Sequence, residues 1–270
     1  MSLKDILIAK DFHFSKRFGQ NFISDRNLLD AIVADAGITQ EDTVLEIGAG
    51  AGTLTAALAQ AARQVVAYEI DDNLKPVLAE TLKDCPNVQL RWGDFLKASP
   101  DELTALTHAK VVANLPYYVT TPILMRLLEE GIGDSVTVMV QKEVADRLCA
   151  EPGGKDYGAI TVKIRLIGQA RLTRIVPRTL FYPQPNVDSA VVRIDRIPGK
   201  YQDPDPDLTA KLARGAFAMR RKTLVNNLMS LGYERATCEQ ALAKMGLSPT
   251  VRGETLDAPD FVRLAGYLKQ

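Results

Sequence analysis

Thr43-Val44-Leu45-Glu46-Ile47-Gly48-Ala49-Gly50-Ala51-Gly52-Thr53-Leu54-Thr55-Ala56-Ala57-Leu58 is the stretch on which the fold turns. Val44 to Ile47 is a short apolar run of the kind that forms a buried strand. Three glycines follow at alternate positions, and then Ala and Leu recur at helical spacing. Strand, glycine turn and helix form the front end of a doubly wound α/β unit. The glycines let the backbone turn tightly and let a ligand approach it with no Cβ between. The helix start offers free N–H groups to a negative charge.

The spacing narrows the ligand. A dinucleotide fingerprint reads G-x-G-x-x-G, whereas here the third glycine comes one residue early and Glu46 precedes the first. This E-x-G-x-G-x-G form resembles the first motif of class I S-adenosylmethionine (AdoMet) methyltransferases. AdoMet has a carboxylate and a sulfonium but no pyrophosphate, so the dinucleotide spacing is not required. An NAD(P) oxidoreductase is disfavoured on the same ground.

Further strands and acids follow in order. Gln64–Ile70 reads as a second strand that delivers Glu69 about 20 residues beyond the glycine turn, where a carboxylate can accept from both hydroxyls of a ribose diol. Val88–Gly93 reads as a third, delivering Asp94 as an acceptor for an exocyclic adenine amine. Lys110–Ala113 and Ser135–Gln141 read as a fourth and fifth. Residues 158–168 are β-branched, but the alternation of strands with helices favours a helix there. Arg171–Val176 and Val187–Ile194 read as an antiparallel edge pair. Pro198 to Asp207 is a linker by composition, and four helices follow near 208–218, 222–231, 235–245 and 259–268. The expected organisation is an α/β domain over 1–200 with an arm at 1–24, then an all-helical domain over 207–270.

Bulk properties set limits. The chain has 270 residues with 46% hydrophobic side chains, ordinary for a globular protein. No apolar run reaches membrane-spanning length, and Lys4, Asp5, Lys10 and Asp11 interrupt any signal-peptide core. Cys85, Cys149 and Cys238 are far apart and odd in number. This suits a reducing cytoplasm and gives no metal site. The net charge is zero but uneven. Residues 41–110 carry 6 basic and 11 acidic side chains, and residues 207–270 carry 10 basic and 6 acidic. Of the two regions the tail suits a polyanion better, and on charge alone a solvated helical surface is the alternative. In the arm, Phe12, His13, Phe14, Lys16, Arg17 and Phe18 interleave aromatics with bases. That pattern suits either nucleic-acid stacking or the plugging of a core.

Asn114-Leu115-Pro116-Tyr117 carries the most specific chemistry. An aromatic amine is a poor nucleophile because its lone pair is delocalised into the ring. A site activates it by accepting both N–H hydrogens, so that the nitrogen becomes more tetrahedral. The Asn114 side-chain oxygen and the Leu115 or Pro116 carbonyl are the candidate acceptors. Tyr117 can stack on a base drawn out of its helix, with Phe181 as the second aromatic wall. Positioning then supplies most of the acceleration.

Three stretches together carry a resemblance: Asn114-Leu115-Pro116-Tyr117-Tyr118-Val119-Thr120-Thr121-Pro122, Phe18-Gly19-Gln20-Asn21-Phe22, and Glu46–Gly52. The chain resembles the KsgA family of small-subunit rRNA adenine dimethyltransferases from Phe14 nearly to its end. Pro185–Val192, Arg220–Leu228 and Arg252–Leu256 match the family's later motifs. The resemblance implies two successive methyl transfers from AdoMet to N6 of each of two adjacent adenosines, in a hairpin loop near the 3′ end of small-subunit rRNA. It implies that Asn21, Ile23, Gly48, Glu69, Asp94 and Asn114 hold AdoMet, with Gly50 in the same turn, and that Asn114 to Tyr117 hold the base. It also implies that Arg214, Arg220, Arg221 and Lys222 grip rRNA in an immature small subunit. A monomer is expected. A large-subunit enzyme of the macrolide-resistance type would share the front motifs, but the tail matches favour the small-subunit reading. A non-catalytic ribosome-assembly factor on the same fold is the rival of another class, and intact Asn114 and Tyr117 argue against it.

Overall fold

The structure is a computed structural model that describes residues 2–269. It divides into two compact units, Met1–Ala145 with Arg171–Asp195, and Asp146–Ala170 with Arg196–Gln270. Residues 146–170 thus group with the C-terminal helices, although they precede the 198–207 linker at which the sequence suggests a boundary. The strands are β1 (Phe22–Ile23), β2 (Thr43–Ile47), β3 (Gln64–Glu69), β4 (Val88–Trp92), β5 (Lys110–Asn114), β6 (Ser135–Gln141), β7 (Gly168–Val176), β8 (Phe181–Tyr182) and β9 (Ser189–Arg196).

Seven strands form one sheet in the order β4-β3-β2-β5-β6-β9-β7. The pairs from β4 to β6 are parallel, and β9 runs antiparallel to β6 with Met139 opposite Val191. The central strands are near-continuous apolar runs because helices cover both faces of such a sheet. Val44, Leu45, Val65, Val111, Val112, Val136 and Val138 are fully buried.

The helices of the first unit are α1 (Leu3–Ala9), α2 (Arg26–Ala36), α3 (Thr53–Ala61), α4 (Lys75–Thr81), α5 (Pro100–Thr104) and α6 (Thr120–Glu129). Asp25 caps α2 through Leu28 N–H at 2.8 Å, as its place before an apolar periodic run predicts. Gly52 stands at the N-terminus of α3 with φ +80°, and a Cβ there would lie 2.8 Å from Leu78 Cδ2. Gly52 therefore serves the packing of α3 on α4. The arm is more ordered than its mixed composition suggests. Ser2 and Asp5 form a reciprocal capping box that starts α1, and Leu3 and Leu7 are buried. Phe12 and Phe14 pack against the core beside Phe22, so for these two rings the core-plugging alternative is the one realised.

After α7 (Lys142–Leu148), the second unit contains α8 (Ala159–Ile167), α9 (Pro206–Ala216), α10 (Leu224–Met229), α11 (Arg235–Lys244) and α12 (Ala258–Leu268). Residues 159–167 are helical, as alternation predicts and β-propensity does not. The core of this unit gathers Leu212, Leu224, Leu228, Leu242, Phe261 and Leu264 around Tyr157. The Tyr157 hydroxyl donates to the Leu256 carbonyl at 2.9 Å. Gly253, whose place within Arg252-Gly253-Glu254 has no sequence explanation, packs on α9. A Cβ there would lie 2.7 Å from the Ala216 carbonyl oxygen.

Candidate active site

The sheet reverses its winding between β2 and β5. From β2 the chain proceeds outward to β3 and β4, and β5 then adds on the opposite side of β2. An open α/β sheet binds ligands in the crevice beyond the strand carboxyl ends at such a switch point. The glycine turn follows β2, Glu69 ends β3, Asp94 follows β4, and Asn114 ends β5 before Leu115, Pro116 and Tyr117.

Two adjoining recesses occupy this crevice. The first is lined by Asn21, Ile23, Gly48, Gly50, Glu69, Asn114, Leu115, Pro116 and Tyr117, together with Glu46. The second is lined by Asp94, Phe95, Leu96 and Tyr68. Phe18, Gly48, Ile70, Pro116 and Tyr118 border both. The predicted cofactor residues and the Asn114–Tyr117 quartet are thus brought together. Gly48 has φ +83°, and the nearest atom to a Cβ there would be Pro116 Cδ at 4.0 Å. This leaves the backbone open to a ligand.

The acids of the crevice are not equivalent. Glu69 is almost wholly buried. Its Oε2 accepts from Gly50 N–H at 2.7 Å, and its Oε1 accepts from Ile70 and Asp71 N–H at 2.9 and 2.8 Å. Burial nevertheless raises its carboxyl above the usual range, with those three backbone donors opposing. Three lone-pair positions are occupied, so about one remains for a new donor. Asp94 Oδ1 caps the following turn through Leu96 N–H at 3.0 Å, and Asp94 lines the second recess.

Glu46 is the least satisfied group. It is 1% exposed, and neither its Oε2 nor Thr55 Oγ1 has a hydrogen-bond partner among the described residues. Burial raises its carboxyl to about 8. The nearby Thr55 hydroxyl opposes this without meeting it in bonding geometry, and the Glu69 charge adds to it. A buried carboxylate without a donor is costly, and a cation entering the recess would relieve it.

The arm closes the crevice through two long-range bonds. Asn114 Nδ2 donates to the Asn21 carbonyl at 3.1 Å, which directs the amide oxygen Oδ1 away as an acceptor. Gln20 Nε2 donates to Asp71 Oδ2 at 2.6 Å, and Gln20 Oε1 accepts from Ser15 N–H at 2.9 Å. Tyr117 is half-buried, and its hydroxyl lies 2.9 Å from Ser189 Oγ.

Phe181 is not brought to the crevice. It is buried in the core, pairs with Ile23 across the β1–β8 ladder and borders neither recess. The reason is the two-residue alternation of a strand, which turns Phe181 inward and exposes Tyr182 instead. Arg214, Arg220, Arg221 and Lys222 all belong to the second unit and are exposed. Arg220 is also structural there, since its guanidinium donates to the Tyr157 carbonyl at 3.0 Å and pairs with Glu254 at 3.4 Å.

Sequence reasoning assigned no role to Glu46, Gln20 or Ser189. Glu46 carries a signal, an acid inside an otherwise apolar strand. Gln20 and Ser189 lie within motifs of the family resemblance, but their partners, 51 and 72 residues away, are not legible from local sequence.

A family model described as ribosomal RNA adenine dimethylase matches residues 11–270. The ribosomal RNA small subunit methyltransferase A of Listeria monocytogenes serotype 4a (strain HCC23) is 46% identical over 276 residues, covering 98% of this chain and 94% of that protein. A dimethyladenosine transferase from Plasmodium falciparum superposes with a TM-score of 0.74 at 26% identity, covering 90% of this chain and 95% of that one. The 23S rRNA methyltransferase ErmE superposes with a TM-score of 0.72 at 30% identity, covering 93% and 100%.

Proposed function

Because this chain belongs to the ribosomal RNA adenine dimethylase family, we propose that its crevice transfers methyl groups from AdoMet to N6 of adenosines in small-subunit rRNA. The substrate in this reading is a pair of adjacent adenosines in the 3′-terminal hairpin loop, presented by an immature small subunit in the cytoplasm to a monomeric enzyme. The product is N6,N6-dimethyladenosine.

The residues present suit AdoMet. Gly48 leaves backbone open where a ligand chain must pass, Asp94 offers an acceptor for an adenine amine, and Glu69 retains acceptor capacity for a ribose hydroxyl. The orphaned Glu46 Oε2 lies where an ammonium would compensate it. Bound there, AdoMet supplies a methyl group activated by its sulfonium. Every other part of the chemistry falls to the protein.

The observation that carries the reading is the Asn114 amide. With Nδ2 held by the Asn21 carbonyl, Oδ1 is fixed as an acceptor for one N–H of the target amine. The Leu115 or Pro116 carbonyl can accept the other N–H. The nitrogen lone pair is thereby freed from the ring and aimed at the methyl group. Tyr117 lines the same recess and offers its ring to the extruded base, a contact of roughly 1–3 kcal/mol. The methylated nitrogen is acidic until it loses a proton, so release to water suffices and no strong base is needed. In the second unit, Arg214, Arg221 and Lys222 supply positive charge for the rRNA backbone.

The test is transfer from labelled AdoMet to undermodified small subunits, with the methylated nucleosides identified. Dimethyladenosine in small-subunit RNA is expected. Transfer to large-subunit RNA alone would move the protein to the activity named for ErmE. No transfer with AdoMet still bound would leave an assembly factor.

A further inference from the structure

Tyr117 sits in the loop between β5 and α6, and its phenol bonds outside that loop. Pro116 before it is half-buried, and Tyr118 after it is 56% exposed. A tyrosine ring on such a loop has two free torsions. An anchor comes from outside the loop, at the far end of the ring: the phenol oxygen lies 2.9 Å from Ser189 Oγ.

Ser189 is built as a fixed point. It is fully buried and is the first residue of β9, in antiparallel register with Gln141 of β6. The preceding residue is held on two further sides. The Asp188 carbonyl accepts from Lys142 N–H at 3.0 Å, and Asp188 Oδ1 accepts from Arg178 N–H at 2.9 Å. Burial keeps the Tyr117 phenol above its ordinary pKa, so it stays neutral and can complete the bond as donor or acceptor. The phenol oxygen lies on the axis about which the ring turns, so a bond there fixes the first torsion and the place of the ring, and acts on its plane only through the in-plane preference of the phenolic O–H.

We infer that Ser189 is a positioning residue for the methyl transfer, anchoring the far end of the Tyr117 ring so that the ring lies where the extruded adenine stacks. The inference rests on the reading of Tyr117 as the base platform. Misplacement of a base by a fraction of an ångström lowers the rate steeply, because the amine must present its lone pair to the methyl group in line. Loss of the tether should therefore appear in turnover on RNA rather than in cofactor binding, since Ser189 borders neither recess.

The experiment compares Ser189→Ala, Tyr117→Phe, the double variant and Tyr117→Leu. The readouts are kcat and KM on small subunits, S-adenosylhomocysteine binding by calorimetry, and the midpoint of thermal unfolding. Ser189→Ala and Tyr117→Phe should each lower kcat about three- to tenfold, with cofactor binding unchanged and only a modest fall in the unfolding midpoint from the lost bond. The double variant should be no worse than either single one, because both remove the same bond. Full kcat in Ser189→Ala overturns the inference, as do additive losses in the double variant. A fall in cofactor affinity that parallels the fall in kcat overturns it too. If Ser189→Ala fails to fold, Tyr117→Phe reads the tether from the half-exposed end. Tyr117→Leu separates the two layers. Full activity there removes the base platform itself, while impaired Tyr117→Leu with native Ser189→Ala and Tyr117→Phe removes only the tether.

Discussion

Asn114 Nδ2 donates to the backbone carbonyl of Asn21 at 3.1 Å, joining the end of β5 to an arm 93 residues earlier in the chain. The bond has two consequences. It seats the arm over the glycine turn, where Phe22 packs within 3.1 Å of a Cβ position at Gly50. It also decides which end of the Asn114 amide faces the crevice. Asn114→Ala removes both the acceptor and the arm contact, and transfer should fall about a hundredfold or more. The far-ultraviolet circular dichroism should stay native, since Asn114 is only partly buried. A variant that methylates at the native rate would refute the amine alignment.

Glu69 accepts from the N–H groups of Gly50, Ile70 and Asp71. Glu69→Gln replaces one acceptor oxygen by an NH2 that must face a backbone donor. The prediction is S-adenosylhomocysteine binding about ten- to hundredfold weaker, together with a lower unfolding midpoint. Calorimetry and thermal melts on the same preparation check both. Weaker binding at an unchanged midpoint would mean that the glycine turn does not depend on this carboxylate.

Glu46 makes stability depend on pH with a definite sign. Its carboxyl is raised to about 8 in the folded protein, mainly by burial. Above the unfolded value the unfolded chain has lost the proton while the folded one keeps it. Stability should therefore fall by about 1.4 kcal/mol per pH unit between the unfolded value and about 8, then level off. Glu46→Gln cannot ionise and should lose this slope. Denaturant melts of both proteins at pH 5.5, 6.5 and 7.5 decide the matter, and parallel curves would show that Glu46 is charged in the fold.

The basic residues of the second unit should separate into two kinds. Arg221 and Lys222 are exposed, and changing both to Ala should reduce the dependence of log affinity on log salt by roughly 1.5. Arg220 bonds the Tyr157 carbonyl and pairs with Glu254. Arg220→Ala should therefore also lower thermal stability, by about 1–3 kcal/mol. Binding to small subunits over a range of salt, with a melt for each variant, distinguishes them. An unchanged slope in the Arg221, Lys222 double variant would remove these two side chains from rRNA binding.

Local chemistry was enough to read most of the α/β unit from the chain. Apolar runs placed β2 to β6, the positive-φ glycines marked the turn after β2, and Asp25 announced α2. The acids at strand ends and the Asn114–Tyr117 quartet converge because parallel winding brings successive strand carboxyl ends to one edge. Spacing thus marked the strand-end part of the crevice, while Asn21 and Ile23, which line it from the arm, came from the family resemblance. What it left open depended on which side of the chain meets which partner. Phe181 and Tyr182 are adjacent aromatics, and only the pairing of β8 with β1 turns one into the core and the other outward. Phe12 and Phe14 could have faced nucleic acid or core until the α1 arm folded against the sheet unit. Residues 146–170 joined the C-terminal helices because Tyr157 and Val162 are buried among Leu212, Leu228 and Phe261, a choice no local period records. Glu46 is visible in the sequence as a polar residue in an apolar strand, but its unpaired state exists only once the surrounding layers have closed over it.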